Sequence, residues 1–401
     1  MGIWWAVLLS PVLAAVLVLA LIRPALRYGL VDHPGGRKQH AAVTPLVGGL
    51  AIFLTFLLAN GLAGGIPGGS WSLLAAMAIT VAFGVADDMH EIGHRSKFFA
   101  QIIAALVVVS GTSIHVLHFG DLLGFGDIEL GKWSYLVTAL AIIGLMNAIN
   151  MIDGMDGLAG TVVLLPLLMF AWVAVDSGDV RLGVEILILA GAIMGFLVFN
   201  LRSPWRSRAR VFMGDTGGLL LGLLLAWFSV KLAGAEQSPI NPITAVWILA
   251  VPLLDMGSVM LLRMSQHKSP FYADRQHMHH VLLDAGYSTS QVVAVMAGAS
   301  LVCGLIGLQA QRAGVPEHLL LFAFLGLWAS YLLALARPHR VLQMLRFVMQ
   351  PRAAVGAKAV LDSEEPKPIV SENSASAEKP VVPPARPKEI PPENLSNPFA
   401  D

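Results

Sequence analysis

The residues of this chain equipped for chemistry crowd into five short segments set between long apolar runs. Asp87 and Asp88 stand side by side in VADDMHEIGHRSKFF. Neighbours on a helix point about 100° apart, so these two acids need not share a task. The pair can accept a proton or gather a metal, or it can be a solvated helix terminus. In NAINMIDGMDGLAG, Asp153 and Asp156 are three residues apart, a spacing that puts both on one face of a helix. Asn147 and Asn150 repeat that spacing, and glycines follow at 154, 157 and 160. Such a set suits a hard cation and a phosphorylated ligand, the alternative being a helix-breaking turn with Asx capping. Asp215 lies in VFMGDTGG among Gly214, Gly217 and Gly218. It reads as a Mg2+ ligand beside backbone N–H groups that admit a diphosphate; an acid favoured by a helix N-terminal dipole is the plainer reading.

The other two segments are basic. RMSQHKSPFYADRQHMHH holds His277, His279 and His280 together with Arg263, Lys268 and Arg275. Phosphate or sugar contact fits this mixture. A transition-metal site lacks a thiolate and would face repelling cations, and a structural loop is the remaining reading. VDHPGGRKQHAAVTPLVGG offers Arg37 and Lys38 as donors between turn-forming Gly and Pro, or is an ordinary basic loop.

What positions these segments is a membrane. The 401 residues are 56% hydrophobic and 13% charged, with a mean hydropathy of +0.70, whereas soluble domains carry roughly 25% charge. About eleven apolar runs are long enough to read as spans, near 3–22, 43–60, 71–86, 98–116, 133–149, 158–175, 182–200, 213–231, 243–262, 291–310 and 317–336. The expected fold is therefore all-α and polytopic, since lipid satisfies no exposed backbone group. The first run lacks a basic leader and a small-residue cleavage site, so it reads as a retained span. Arg23, Arg27, Arg37, Lys38, Arg95, Lys97, Arg202, Arg206, Arg208, Arg210, Arg263, Lys268 and Arg275 fall on one side of the membrane, against Lys132, Arg181, Lys231 and Arg312 on the other. Positive residues stay inside, which puts the N-terminus outside, the C-terminus in the cytoplasm and all five polar segments on the cytoplasmic face. The zero net charge gives no reason to expect nucleic acid. The single cysteine, Cys303, lies in an apolar run and supports neither a disulfide framework nor a Cys-based zinc site. Residues 1–345 form the expected multi-span domain, and the Pro-rich stretch 346–401 is expected to be a disordered tail.

In this order and between these spans, the Asp87–Asp88 pair, NAINMIDGMDGLAG, FMGDTGG and DRQHMHH resemble the polyprenyl-phosphate N-acetylhexosamine-1-phosphate transferases, the MraY-like superfamily, over roughly residues 30 to 290. SPFYADRQHMHHVLLDAGYS is similar to the WecA type, which moves GlcNAc-1-phosphate from UDP-GlcNAc to undecaprenyl phosphate and releases UMP. The resemblance implies Asp215 as principal Mg2+ ligand with Asn150 as second contact, Mn2+ being an alternative ion. It implies Asp87 as the acid that deprotonates or orients the lipid phosphate and Asp88 as its binding neighbour. Asp153 and Asp156 are implied to line the nucleotide-sugar site, and Lys38, His277, His279 and His280 to contact phosphate and substrate. Arg263 is added from charge placement alone.

The expected activity is thus a Mg-dependent phosphoglycosyl transfer in the inner membrane, with a UDP-N-acetylhexosamine and undecaprenyl phosphate as partners, starting a lipid-linked, O-antigen-like polysaccharide. Direct attack by the lipid phosphate is preferred over a covalent aspartyl intermediate. The alternatives are another UDP-N-acetylhexosamine or UDP-MurNAc-pentapeptide as donor and, more remotely, a transporter, for which Asp255 is the clearest intramembrane acid.

Overall fold

A computed structural model describes residues 3–33, 43–203, 205–270 and 275–349, the side chains of His94 and of 344–349 excepted. Arg37 and Lys38 lie outside the described residues, as does the expected tail beyond residue 349.

The chain runs α1 (Trp4–Tyr28), β1 (Val31–Asp32), β2 (Thr44–Pro45), α2 (Gly48–Leu62), α3 (Trp71–His90), α4 (His94–Gly111), α5 (Ser134–Ile152), α6 (Leu158–Asp176), α7 (Val180–Asn200), α8 (Gly214–Ala233), α9 (Pro242–Ile248), α10 (Ala250–Ser265), α11 (Met278–Asp284), α12 (Thr289–Arg312), α13 (Glu317–Ala336) and α14 (Pro338–Met349). Among the described residues 8 helices are long and apolar enough to cross a membrane, or 9 if α9 and α10 form one broken span. The expected spans 98–116 and 43–60 correspond to α4, which stops at Gly111, and to α2, with 15 residues. The run 243–262 is bent by 83° at the break between α9 and α10.

Burial follows the apolar pattern of each helix. α8 is apolar on every side and is buried almost throughout, from Thr216 to Ala233, the behaviour of a central helix. It packs against α2, α3, α5 and α6. Without a hydrophobic drive between helices in lipid, close backbone approach supplies the packing. A Cβ on Gly84 of α3 would come within 2.4 Å of the Thr216 backbone, so only glycine lets α3 touch the start of α8. α1 and α13 instead expose Leu8, Val12, Val16, Phe322 and Leu333, as a lipid-facing surface does.

Candidate active site

α3 and α4 are joined by a tight turn. Glu91 adopts φ 48, and its N–H closes on the Asp87 carbonyl at 2.8 Å. The chain reverses there, and the first turn of α4 swings Lys97 back over the end of α3. Lys97 Nζ lies 2.7 Å from Asp87 Oδ2 and 2.8 Å from Asp215 Oδ2. The Asp87 and Asp215 carboxylates thus meet on one ammonium, and the Asn150 side chain bonds to Asp215. Carboxylates only accept when ionised, so two of them meeting this closely call for a cation between them. The Lys97 ammonium fills that role.

Asp88 does something else. Its Oδ1 accepts from the Asp215 N–H at 2.7 Å, and its Oδ2 accepts from the Thr216 hydroxyl at 2.7 Å and the Thr216 N–H at 3.2 Å. The first N–H groups of a helix have no partner inside it, and the residue preceding α8 gives no side-chain cap. Asp88 of α3 supplies one from a neighbouring helix. Gly214 makes room: it has φ 73, and a Cβ there would lie 2.5 Å from Asp88 Oδ2.

One sequence expectation fails in this region. Asp153 and Asp156 do not share a helical face, because α5 ends at Ile152 and α6 begins at Leu158. Gly157, at φ 81, turns the chain between them. Asp156 instead accepts from Arg202 Nε at 2.7 Å and the Ala209 N–H at 3.1 Å, and so holds the basic 202–210 loop. Asp153 faces the negative charges of Asp215, Asp88 and Asp156. Burial, and then those charges, push its carboxyl up to about 7.

The histidine segment meets this turn. A Cβ on Gly154 would lie 2.6 Å from His279 Nε2, so the imidazole rests directly on the glycine backbone. His279 is 1% exposed, and neither ring nitrogen has a partner among the described residues. Burial pushes its pKa down to about 3, with the neighbouring His280 adding to the effect. The basic first segment is tied in through its ends. β1 pairs with β2, the Phe212 N–H bonds to the Pro45 carbonyl at 2.9 Å, and the Gly48 and Gly49 N–H groups bond to Phe212 and Met213. All five polar segments therefore join one region through their described residues.

The carboxylate oxygens of Asp215 and Asp87 suit a hard divalent cation, with the Asn150 amide beside Asp215, and the bridging ammonium already marks the place of a positive charge. A different group, Asp255, His277 and His279, brings ligand atoms within 4.8 Å of one another. Its nitrogen-rich donors suit a transition ion rather than Mg2+, and the Asp255 carboxylate already bonds to His277, Met278 and Tyr331.

Sequence reasoning used Lys97 only as a topological charge. The signal was available in EIGHRSKFF, a lone lysine one short turn beyond two acids at the same membrane face. Thr216, Arg202 and Tyr331 carried no comparable signal. An apolar cleft lined by Phe83, Ile92, Ala100 and Leu219 opens beside Asp87 and Lys97.

Residues 70–233 match the family model described as glycosyl transferase family 4. The chain is 32% identical over 337 residues to a Yersinia pestis undecaprenyl-phosphate alpha-N-acetylglucosaminyl 1-phosphate transferase, which covers 82% of this chain and 91% of that protein. Proteins of the same description from Haemophilus influenzae and Escherichia coli K12 are 31% and 30% identical. They cover 83% and 81% of this chain, and 94% and 88% of their own lengths.

Proposed function

This chain belongs to glycosyl transferase family 4, and we propose that it transfers N-acetylglucosamine-1-phosphate from UDP-N-acetylglucosamine to undecaprenyl phosphate, releasing UMP, at the cytoplasmic face of the inner membrane. The observation that carries the reading is the Asp87–Lys97–Asp215 centre with Asn150 beside it, in a chain whose relatives are named undecaprenyl-phosphate alpha-N-acetylglucosaminyl 1-phosphate transferases.

The acceptor's phosphate enters beside Lys97, whose ammonium attracts it, while its polyprenyl tail stays in the lipid next to the apolar residues Phe83, Ile92, Ala100 and Leu219. Asp87, 6% exposed, orients the phosphate or takes its proton. A phosphate oxygen of the lipid attacks the sugar-linked phosphorus, and the bond from that phosphorus to the bridging oxygen breaks. The electron pair leaves with UMP. Asp215 and Asn150 would hold Mg2+, or Mn2+ in its place, whose charge offsets that of the diphosphate. Asp88 fixes the start of α8 and with it the Asp215 carboxylate. Asp153, Asp156, Arg263, His277, His279 and His280 form the nucleotide-sugar side, and Lys38 is proposed to contact the substrate's phosphates. The product starts a lipid-linked cell-surface polysaccharide.

The test is UMP release by membranes carrying the chain, supplied with undecaprenyl phosphate and one nucleotide sugar at a time. UDP-N-acetylglucosamine is expected to be the preferred donor, with label appearing in lipid. Preference for another UDP-N-acetylhexosamine would replace the donor. No UMP release with any donor would overturn the reading.

A further inference from the structure

The buried carboxylate of Asp255 lies outside both the matched family region and the acid–lysine centre, yet it is 1% exposed inside a membrane helix. A carboxylate there is costly unless donors surround it. Oδ2 takes a bond from His277 Nδ1 at 2.6 Å. Oδ1 takes the Tyr331 hydroxyl at 2.8 Å and the Met278 N–H, the first of α11, at 3.0 Å. One acid of α10 thus ties down the start of α11 and binds it to α13.

The arrangement also sets the His277 ring. With Nδ1–H donated to Asp255, Nε2 is left as acceptor, and it faces Arg263 Nη2 at 3.4 Å. Arg263 is 3% exposed and is held in turn by the Pro270 carbonyl at 2.7 Å. The opposite tautomer would turn an N–H toward a guanidinium that has only donors. His277 stacks on His279, with ring centroids 5.4 Å apart and planes 20° apart, and His279 rests on Gly154. The path runs from Tyr331 through Asp255 and His277 to a buried imidazole with neither nitrogen paired among the described residues. An unpaired buried nitrogen is expensive, and a substrate group that bonds to it would remove that cost.

We infer that Asp255 and Tyr331 are positioning residues for the nucleotide-sugar side of the site, holding His277 in one tautomer and thereby fixing His279 against the Gly154 turn. A purely structural role would be met as well by apolar side chains of similar volume, since buried charged networks seldom gain stability over such packing. The inference rests on the proposed transfer reaction.

The experiment is steady-state kinetics of the full chain in detergent, with donor and acceptor varied separately. Asp255→Asn keeps the volume and still accepts from Met278 and Tyr331, but its amide cannot hold the same His277 tautomer while leaving Nε2 to Arg263. It should lower kcat/KM for the nucleotide sugar by about 100-fold, with KM for undecaprenyl phosphate and the Mg2+ dependence unchanged. Tyr331→Phe should show the same split at about 5-fold. If Asp255→Asn does not elute as folded protein, Tyr331→Phe decides by that split. Wild-type values for the nucleotide sugar in both variants, or equal losses toward both substrates, would overturn the inference while leaving the reaction intact. A stoichiometric transition metal in the purified protein, lost in Asp255→Asn, would also overturn it in favour of a metal site. Absence of UMP release by the wild type would instead remove the reaction on which it rests.

Discussion

Two carboxylate sites of this protein, Asp87 with Asp215 and Asp255 with its donors, are built on opposite principles. At the mouths of α3, α4 and α8, Asp87 and Asp215 share one lysine, so acceptors outnumber the charge between them. At the junction of α10, α11 and α13, Asp255 is met by an imidazole, a hydroxyl and a backbone N–H, and its acceptors are taken up by the protein. The first is a place for a ligand because protein alone leaves it incomplete. The second is complete, and so braces what lies next to it. Surplus acceptor capacity, rather than burial, separates a working acid from a supporting one.

Removing the surplus should have the largest effect. Asp215→Ala is expected to reduce transfer of radiolabelled N-acetylglucosamine-1-phosphate in membranes by about 10^3-fold or more. Full Mg2+-dependent transfer by this variant would sink the metal assignment. Lys97→Met comes next, at about 100-fold. The same variant sharpens the contrast in a second measurement. With the ammonium gone, Asp87 and Asp215 face each other unneutralised, so added Mg2+ should raise its melting temperature more than it raises that of the wild type. An equal shift in both proteins would mean that lysine and metal do not serve the same carboxylates.

Where the two regions touch, Gly154→Ala pushes a methyl group into His279. A loss of about 10-fold is expected, confined to the nucleotide sugar; an equal loss toward the lipid would break the link. The smallest effect concerns Asp153, whose carboxyl is pushed up to about 7 by burial and nearby acids. A raised carboxylate makes the fold less stable as pH rises from its ordinary 3.8 toward 7, with a constant penalty above that. Asp153→Asn should therefore melt about 1–3 °C higher than the wild type at pH 8 in EDTA. The gain should shrink steadily toward pH 4, and a gain independent of pH would show that charge is not its cause.

Much of the site was legible because membranes make polar residues rare. Asp87, Asp88, Asn150, Asp153, Asp156, Asp215 and the three histidines stood out against an apolar background. The expectation that adjacent acids need not share a task holds: Asp87 faces Lys97, whereas Asp88 caps α8. The expectation of one helical face for Asp153 and Asp156 fails, because helix spacing has no meaning across the turn at Gly154 and Gly157. Lys97 was hidden among the topogenic charges. A cation that orients a membrane loop and one that bridges two acids look alike until the loop is folded back.

Sequence by itself determined the all-helical character, the cluster of polar segments and the family resemblance, since these depend on composition, apolar run length and motif order. The tertiary structure alone decided which acid meets which donor. The Lys97 ammonium joins Asp87 of α3 to Asp215 of α8, and the Asp255–Tyr331 bond joins α10 to α13. Such pairings arise from helix packing at glycine contacts such as Gly84 on Thr216. No local rule of spacing encodes them, because hydrogen bonds depend on separations of a few ångströms between helices distant in the chain.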